Sequence, residues 1–116
     1  MESILNSIKK LLGISIDDTS FDTDLIIHIN TVFSVLTQLG VGSDKGYRIY
    51  GDSEIWDDYI SEDSYDLELI KSYMYLRVKT IFDPPQSSFV LDSYKRLIDE
   101  LEWRINVSVD PEKQNE

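Results

Sequence analysis

Few side chains in this sequence are of the kinds that do chemistry, and their spacing limits what they can do. His28 is the only histidine. It falls in the apolar half of a helical repeat, between Val35 and Leu39 on the wheel, with no orienting partner evident. A general base needs such a partner and a pocket, so His28 reads as a residue at the rim of a core. The stretch Gly40-Val41-Gly42-Ser43-Asp44-Lys45-Gly46 has the glycines of a phosphate loop. It lacks the Gly-Lys-Ser/Thr ending and follows a helix where a strand is required, so it reads as a flexible connector. With no cysteine, thiol nucleophiles, disulfides and zinc-thiolate sites are excluded.

Carboxylates are the abundant reactive group. Between Gly51 and Ile70 stand Asp52, Glu54, Asp57, Asp58, Glu62, Asp63, Asp66 and Glu68, with no basic residue among them. An EF-hand would need a central glycine and a closing glutamate at set positions, and these are missing. A catalytic carboxylate pair has no signature in so dense a run. Residue by residue this is a solvated acidic face; as a cluster it is a patch for a basic partner, or for DNA that must pass without sticking. Arg77 is the one charge set deep in an apolar helical face. It needs a carboxylate, from Asp83, Asp66 or a neighbouring subunit, because an unpaired buried charge costs several kcal/mol.

Five helical segments would position these groups. Residues 2–12 carry apolar positions at i, i+3, i+4 and i+7, and Gly13 ends the repeat. The next helix runs from Asp22, expected as its N-cap with Phe21 and Ile26 as a hydrophobic staple, to Leu39 before Gly40. Its apolar half holds Leu25, Ile26, Ile29, Val32, Phe33, Val35, Leu36 and Leu39, with Ile27 stranded opposite. Residues 40–52 form a Gly-rich loop or a short hairpin arm around Tyr47-Arg48-Ile49-Tyr50. Ser53 is expected to cap a short helix through Trp56, Tyr59 and Ile60. A third long helix, about Tyr65 to Phe82, is apolar almost all round and must be covered on more than one side; other copies of the chain are a natural source of that cover. Asp83-Pro84-Pro85 stops it. The last helix, about Ser88 to Val107, has a core face of Val90, Leu91, Tyr94, Leu97, Ile98, Leu101 and Ile105. Phe89 and Trp103 lie together on its charged side, well placed to anchor a partner.

The fold class is therefore mainly α: one small bundle of about four to five helices over residues 1–107, with a polar tail over 108–116. One domain is what 116 residues allow. The apolar fraction of 41% is that of a folded chain, and no apolar run approaches the roughly 20 residues of a membrane span. A net charge of −11 repels phosphates, which argues against sequence-specific nucleic-acid binding.

Several segments, in order, resemble the head–tail connector (adaptor, or head-completion) proteins of long-tailed bacteriophages. They are Ile4-Leu5-Asn6-Ser7-Ile8-Lys9-Lys10-Leu11-Leu12-Gly13, Phe21 through Asn30, Leu36 through Gly42, Trp56, Phe82-Asp83-Pro84-Pro85 and Glu100 through Asn106. The resemblance implies a virion protein, not an enzyme, with no metal and no cofactor. It implies a ring of about a dozen copies beneath the portal. That ring would extend the DNA channel, offer a platform to the stopper, and let double-stranded DNA pass without specific binding. Assembly would take place in the host cytoplasm, with no membrane involved. Carried onto this sequence, residues 107–116, including Val107, Val109 and Pro111, are the candidate portal-docking tail. Phe89, Trp103 and Arg104 are candidate contacts to the portal or between subunits, with Ile27 and Arg77 as further interface candidates. The Gly40–Gly51 arm is a candidate for the face toward neighbouring rings. Asp52, Glu54, Asp57, Asp58, Glu62 and Asp63 are the candidate channel-facing carboxylates. The alternatives are an acidic DNA mimic that inhibits a host nucleic-acid enzyme and, further off, a metal-dependent hydrolase built on the carboxylates.

Overall fold

The computed structural model describes residues 2–60 and 67–109. Among the described residues five helices follow one another: α1 (Ile4–Leu12), α2 (Asp22–Gln38), α3 (Trp56–Tyr59), α4 (Leu67–Phe82) and α5 (Ser88–Val109). No strand occurs among the described residues; one antiparallel bridge joins Ser3 to Ile55.

Helix α1 begins where the Ser3 hydroxyl accepts the Asn6 N–H at 3.2 Å. It ends at Gly13, whose φ of 79° puts it in the left-handed region that closes a helix without a Cβ clash. The turn into α2 is not built as the sequence suggests. Phe21, not Asp22, is the N-cap residue, and no side chain caps the helix. The Asp22 carboxylate turns instead to Lys9, at 2.8 Å. Phe21 forms no staple with Ile26 but packs edge-on against Phe82, ring centres 5.4 Å apart. A buried ammonium is the stronger claimant: Lys9 is 1% exposed and cannot stay unpaired.

Helix α4 is the hub, touching α1, α2 and α5. Leu67, Ile70, Tyr73, Met74, Leu76 and Val78 are buried on its different sides. The cover expected from other copies is therefore largely supplied by the chain's own helices, which wrap the α4 cylinder from three directions. Arg77 finds its partner within the chain too. It pairs with Glu102 of α5 at 3.0 Å, and the same carboxylate accepts the Tyr73 hydroxyl at 2.7 Å. Asp83 takes Lys79 instead, and Asp66 lies outside the described residues.

Residues 40–52 make a pinned loop and not a hairpin arm. Asn30 of α2 holds the Ile49 backbone at both ends, accepting its N–H at 2.7 Å and donating to its carbonyl at 2.9 Å. The Ile49 side chain is buried beneath. A strand partner is unnecessary when an amide side chain satisfies the backbone. Beside it Phe33 gathers Tyr47, Trp56 and Tyr59 into one aromatic cluster. Trp56 also donates its indole N–H to the Ser7 hydroxyl at 3.0 Å, tying α3 to α1. The expected Ser53 cap is displaced: Ile55 is the N-cap residue of α3, and its N–H goes to the Asp58 carboxylate at 3.1 Å.

Helix α5 extends two residues beyond Val107, and Val109 packs against the core. Val109 sits so close over Gly40 that a Cβ there would stand 3.1 Å from its methyl group. At the other end, only Ile98, Leu101 and Ile105 are buried on α5; Val90 and Leu97, expected in the core, are exposed. The Arg77–Glu102 pair sets the α4/α5 register and brings Thr80 and Ile81 beside Lys95 and Ile98. At 1.5 Å per residue, that register carries the first turn of α5 past the last turn of α4.

Candidate functional site

The first candidate surface runs along the outer side of α5. Phe89, Arg96 and Trp103 recur every seven residues, so the three form one line facing away from buried Ile98. Phe89 is 75% exposed and Trp103 67% exposed, far above what a core role would leave. Arg104 lies beside the line and pairs with Glu100 at 2.7 Å, an exposed pair contributing little to folding. The line begins just after Pro84 and Pro85, and Ser87 caps its helix by accepting the Val90 N–H at 3.4 Å. This surface was legible in the sequence, since two aromatics on a charged helical face have no core explanation.

The second surface is an open groove of about 680 Å³ between α1 and α5, floored by α4. Ile8 and Leu11 form one wall, Leu97 and Leu101 the other, and Tyr75 and Leu76 the floor. Leu11, 54% exposed, and Leu97 stand at its lips. Lys10 and Lys71 on one hand, Glu2 and Glu68 on the other, give it a rim of mixed charge. Sequence reading missed the groove because its walls come from helices more than 80 positions apart. The only available signal was Leu11, one apolar residue more than a short helix buries on a single face.

The acidic stretch divides on inspection. Asp52 and Asp57 point into solvent. Asp58 is used to cap α3, and Glu54 accepts the Tyr50 N–H at 2.8 Å. Both also bear on Tyr47, whose hydroxyl pKa is raised first by burial and then by these two negative charges. Glu62 and Asp63 lie outside the described residues. Two of the stretch's five described carboxylates are thus committed to local structure, which weakens the case for a DNA mimic with a repeating acidic face. Among the described residues no group of three or more His, Asp or Glu side chains converges.

The remaining candidates scatter. Ile27 is 57% exposed on the far side of α2, next to no other candidate. Arg77 belongs to the α4–α5 tie. Val107 and Val109 are half-buried in the last turn of α5, and Pro111 lies outside the described residues. His28 is half-buried, its ring 6.5 Å from that of Phe82, in keeping with a place at the core rim.

Lys9 was not singled out by sequence reading, yet it is the most constrained polar group described. Its ammonium donates to the carbonyls of Ile16 at 3.1 Å and Asp18 at 2.7 Å, and meets Asp22 at 2.8 Å. The Asp22 contact is ionic, without the angle of a good hydrogen bond. Two carbonyl acceptors and one ionic contact surround the ammonium, which fixes the α1–α2 connection. Its role is architectural: it positions α1 as a wall of the groove.

What the described residues offer is contact surface. No helix among the described residues is long and apolar enough to cross a membrane. Neither curated proteins nor solved structures gave a match to the chain. A family model described as phage connector protein, however, matches residues 4–112, nearly the whole sequence. A helical body bearing an aromatic line and an apolar groove fits a structural connecting role in the virion, and the chain belongs to the phage connector family.

Proposed function

We propose that copies of this protein close into a ring beneath the portal, join the DNA-filled head to the tail, and extend the DNA channel toward the stopper. The observation that carries the reading is the outer line of α5. A monomer gains nothing from exposing Phe89 and Trp103 on one helical face, whereas aromatic and arginine side chains are the usual anchors of protein interfaces. Family membership supplies the virion setting. The net charge of −11 agrees with a channel wall that repels the duplex, with Asp52 and Asp57 free to face it.

Residues 110–116 are the proposed portal-docking segment, since Val109 already packs on the body. Deleting 110–116 should leave the far-ultraviolet circular dichroism and unfolding midpoint unchanged while abolishing attachment to portal-bearing, DNA-filled heads. Heads completed by the truncated protein would remove the docking role from this segment.

A further inference from the structure

The aromatic line and the groove are different surfaces, and each has what the other lacks. The line is convex: Phe89 stands out 75% exposed from the first turn of α5, shortly after two prolines. The groove is concave and floored by apolar side chains. We infer that the outer line of α5 in one copy, led by Phe89, lies in the α1/α5 groove of the next copy. This rests on the reading that copies of the chain assemble.

Charge argues for a second copy as the occupant. Asp92 shares the exposed side of α5 with Phe89, one turn on, and Arg96 follows it. On the groove rim, Lys10 has no carboxylate within ion-pair distance among the described residues, and Glu68 makes only a loose 3.8 Å contact with Lys71. An α5 helix in the groove sets an acid and a base against a base and an acid, at the helical spacing by which a groove reads a docked helix. Because the two surfaces differ, the contact is head-to-tail. Repeated, it closes a ring if the rotation closes and otherwise grows a filament; it does not stop at a symmetric dimer.

The sequence has no cysteine, so single thiols report the contact cleanly. Ser88→Cys places a thiol beside Phe89, and Ser72→Cys places one in the groove, both at exposed serines. The two full-length variants are mixed in equal amounts and treated with a short bis-maleimide. The expected product is the mixed dimer, in roughly tenfold excess over either homodimer, because thiols in a formed complex have a high effective concentration. Adding Phe89→Asp to the Ser88→Cys chain should abolish it. Lys10→Glu in the Ser72→Cys chain should weaken it several-fold, and Asp92→Lys in the other chain should restore it. A dominant Ser88→Cys homodimer, a statistical mixture, or no cross-link would overturn the head-to-tail contact. A cross-link that forms as expected, while phage carrying Phe89→Asp still join heads to tails, would uphold the contact and sink the junction role.

Discussion

The two ends of the α4–α5 pair treat apolar side chains in opposite ways. Toward the start of α4, the neighbouring loop, α3 and the end of α2 bury Phe33, Ile49 and Trp56, and the last turn of α5 packs over Gly40. Past the end of α4, Phe89 stands 75% exposed, and Val90, Ile81 and Leu97 remain partly open. What differs is how the neighbouring segments meet. At the first end three segments converge on one cluster. At the second, the Asp83–Ser87 connection leads α5 out beyond its neighbours. Apolar surface left bare by such a register is surface for another molecule, not a defect of the core.

That contrast can be broken by substitution. Phe33→Ala should be the most damaging change, costing about 4 kcal/mol by opening a cavity among Tyr47, Trp56 and Tyr59. Urea unfolding measures it, and a loss comparable to that of a surface variant would mean the cluster is not a core. Lys9→Met should cost about 3 kcal/mol, because it strips donors from two carbonyls and leaves the Asp22 carboxylate without its cation. A neutral result would show that water replaces the ammonium.

Tyr73→Phe tests the tie between the two helices and should cost about 1 kcal/mol at neutral pH. Burial, then donation to Glu102, pushes the Tyr73 hydroxyl well above the ordinary tyrosine range. A folded pKa above the unfolded one gives stability that is whole below about pH 10 and is lost as pH rises beyond it. The urea midpoint of the unmodified protein should therefore fall more steeply from about pH 9 to about pH 11 than that of Tyr73→Phe. Parallel slopes would place the alkaline sensitivity elsewhere.

Phe89→Ala and Trp103→Ala should have the smallest effect on folding, within about 0.5 kcal/mol, because both rings stand in solvent. Assembly onto heads should nonetheless fail. Equal losses of stability and assembly in either variant would return that residue to an ordinary packing role and erase the distinction between the two ends.

Much of this was legible in the chain itself. Helix periodicity, Gly13, Gly40 and Asp83-Pro84-Pro85 marked the long helices and their stops, and the exposure of Phe89 and Trp103 followed from the wheel of α5. The acidic run was equally visible, but not that Asp58 and Glu54 serve the backbone around α3. The errors share one cause. Asp22 as a cap, Phe21 as a staple and Asp83 for Arg77 are all readings from near neighbours in sequence. In each case a distant group made the stronger contact: Lys9 took Asp22, Phe82 took Phe21, and Glu102 took Arg77.

By itself the sequence determined the class of molecule: helical, acidic, without thiols, and built with an aromatic line on its last helix. Those properties are local, set by residue type and by a 100° step. Tertiary structure alone decided where α4 found its cover, how far α5 overhangs, and that α1 and α5 enclose a groove. Register between helices is fixed by which side chains meet across long stretches of chain, and a helical repeat looks the same whichever register it adopts.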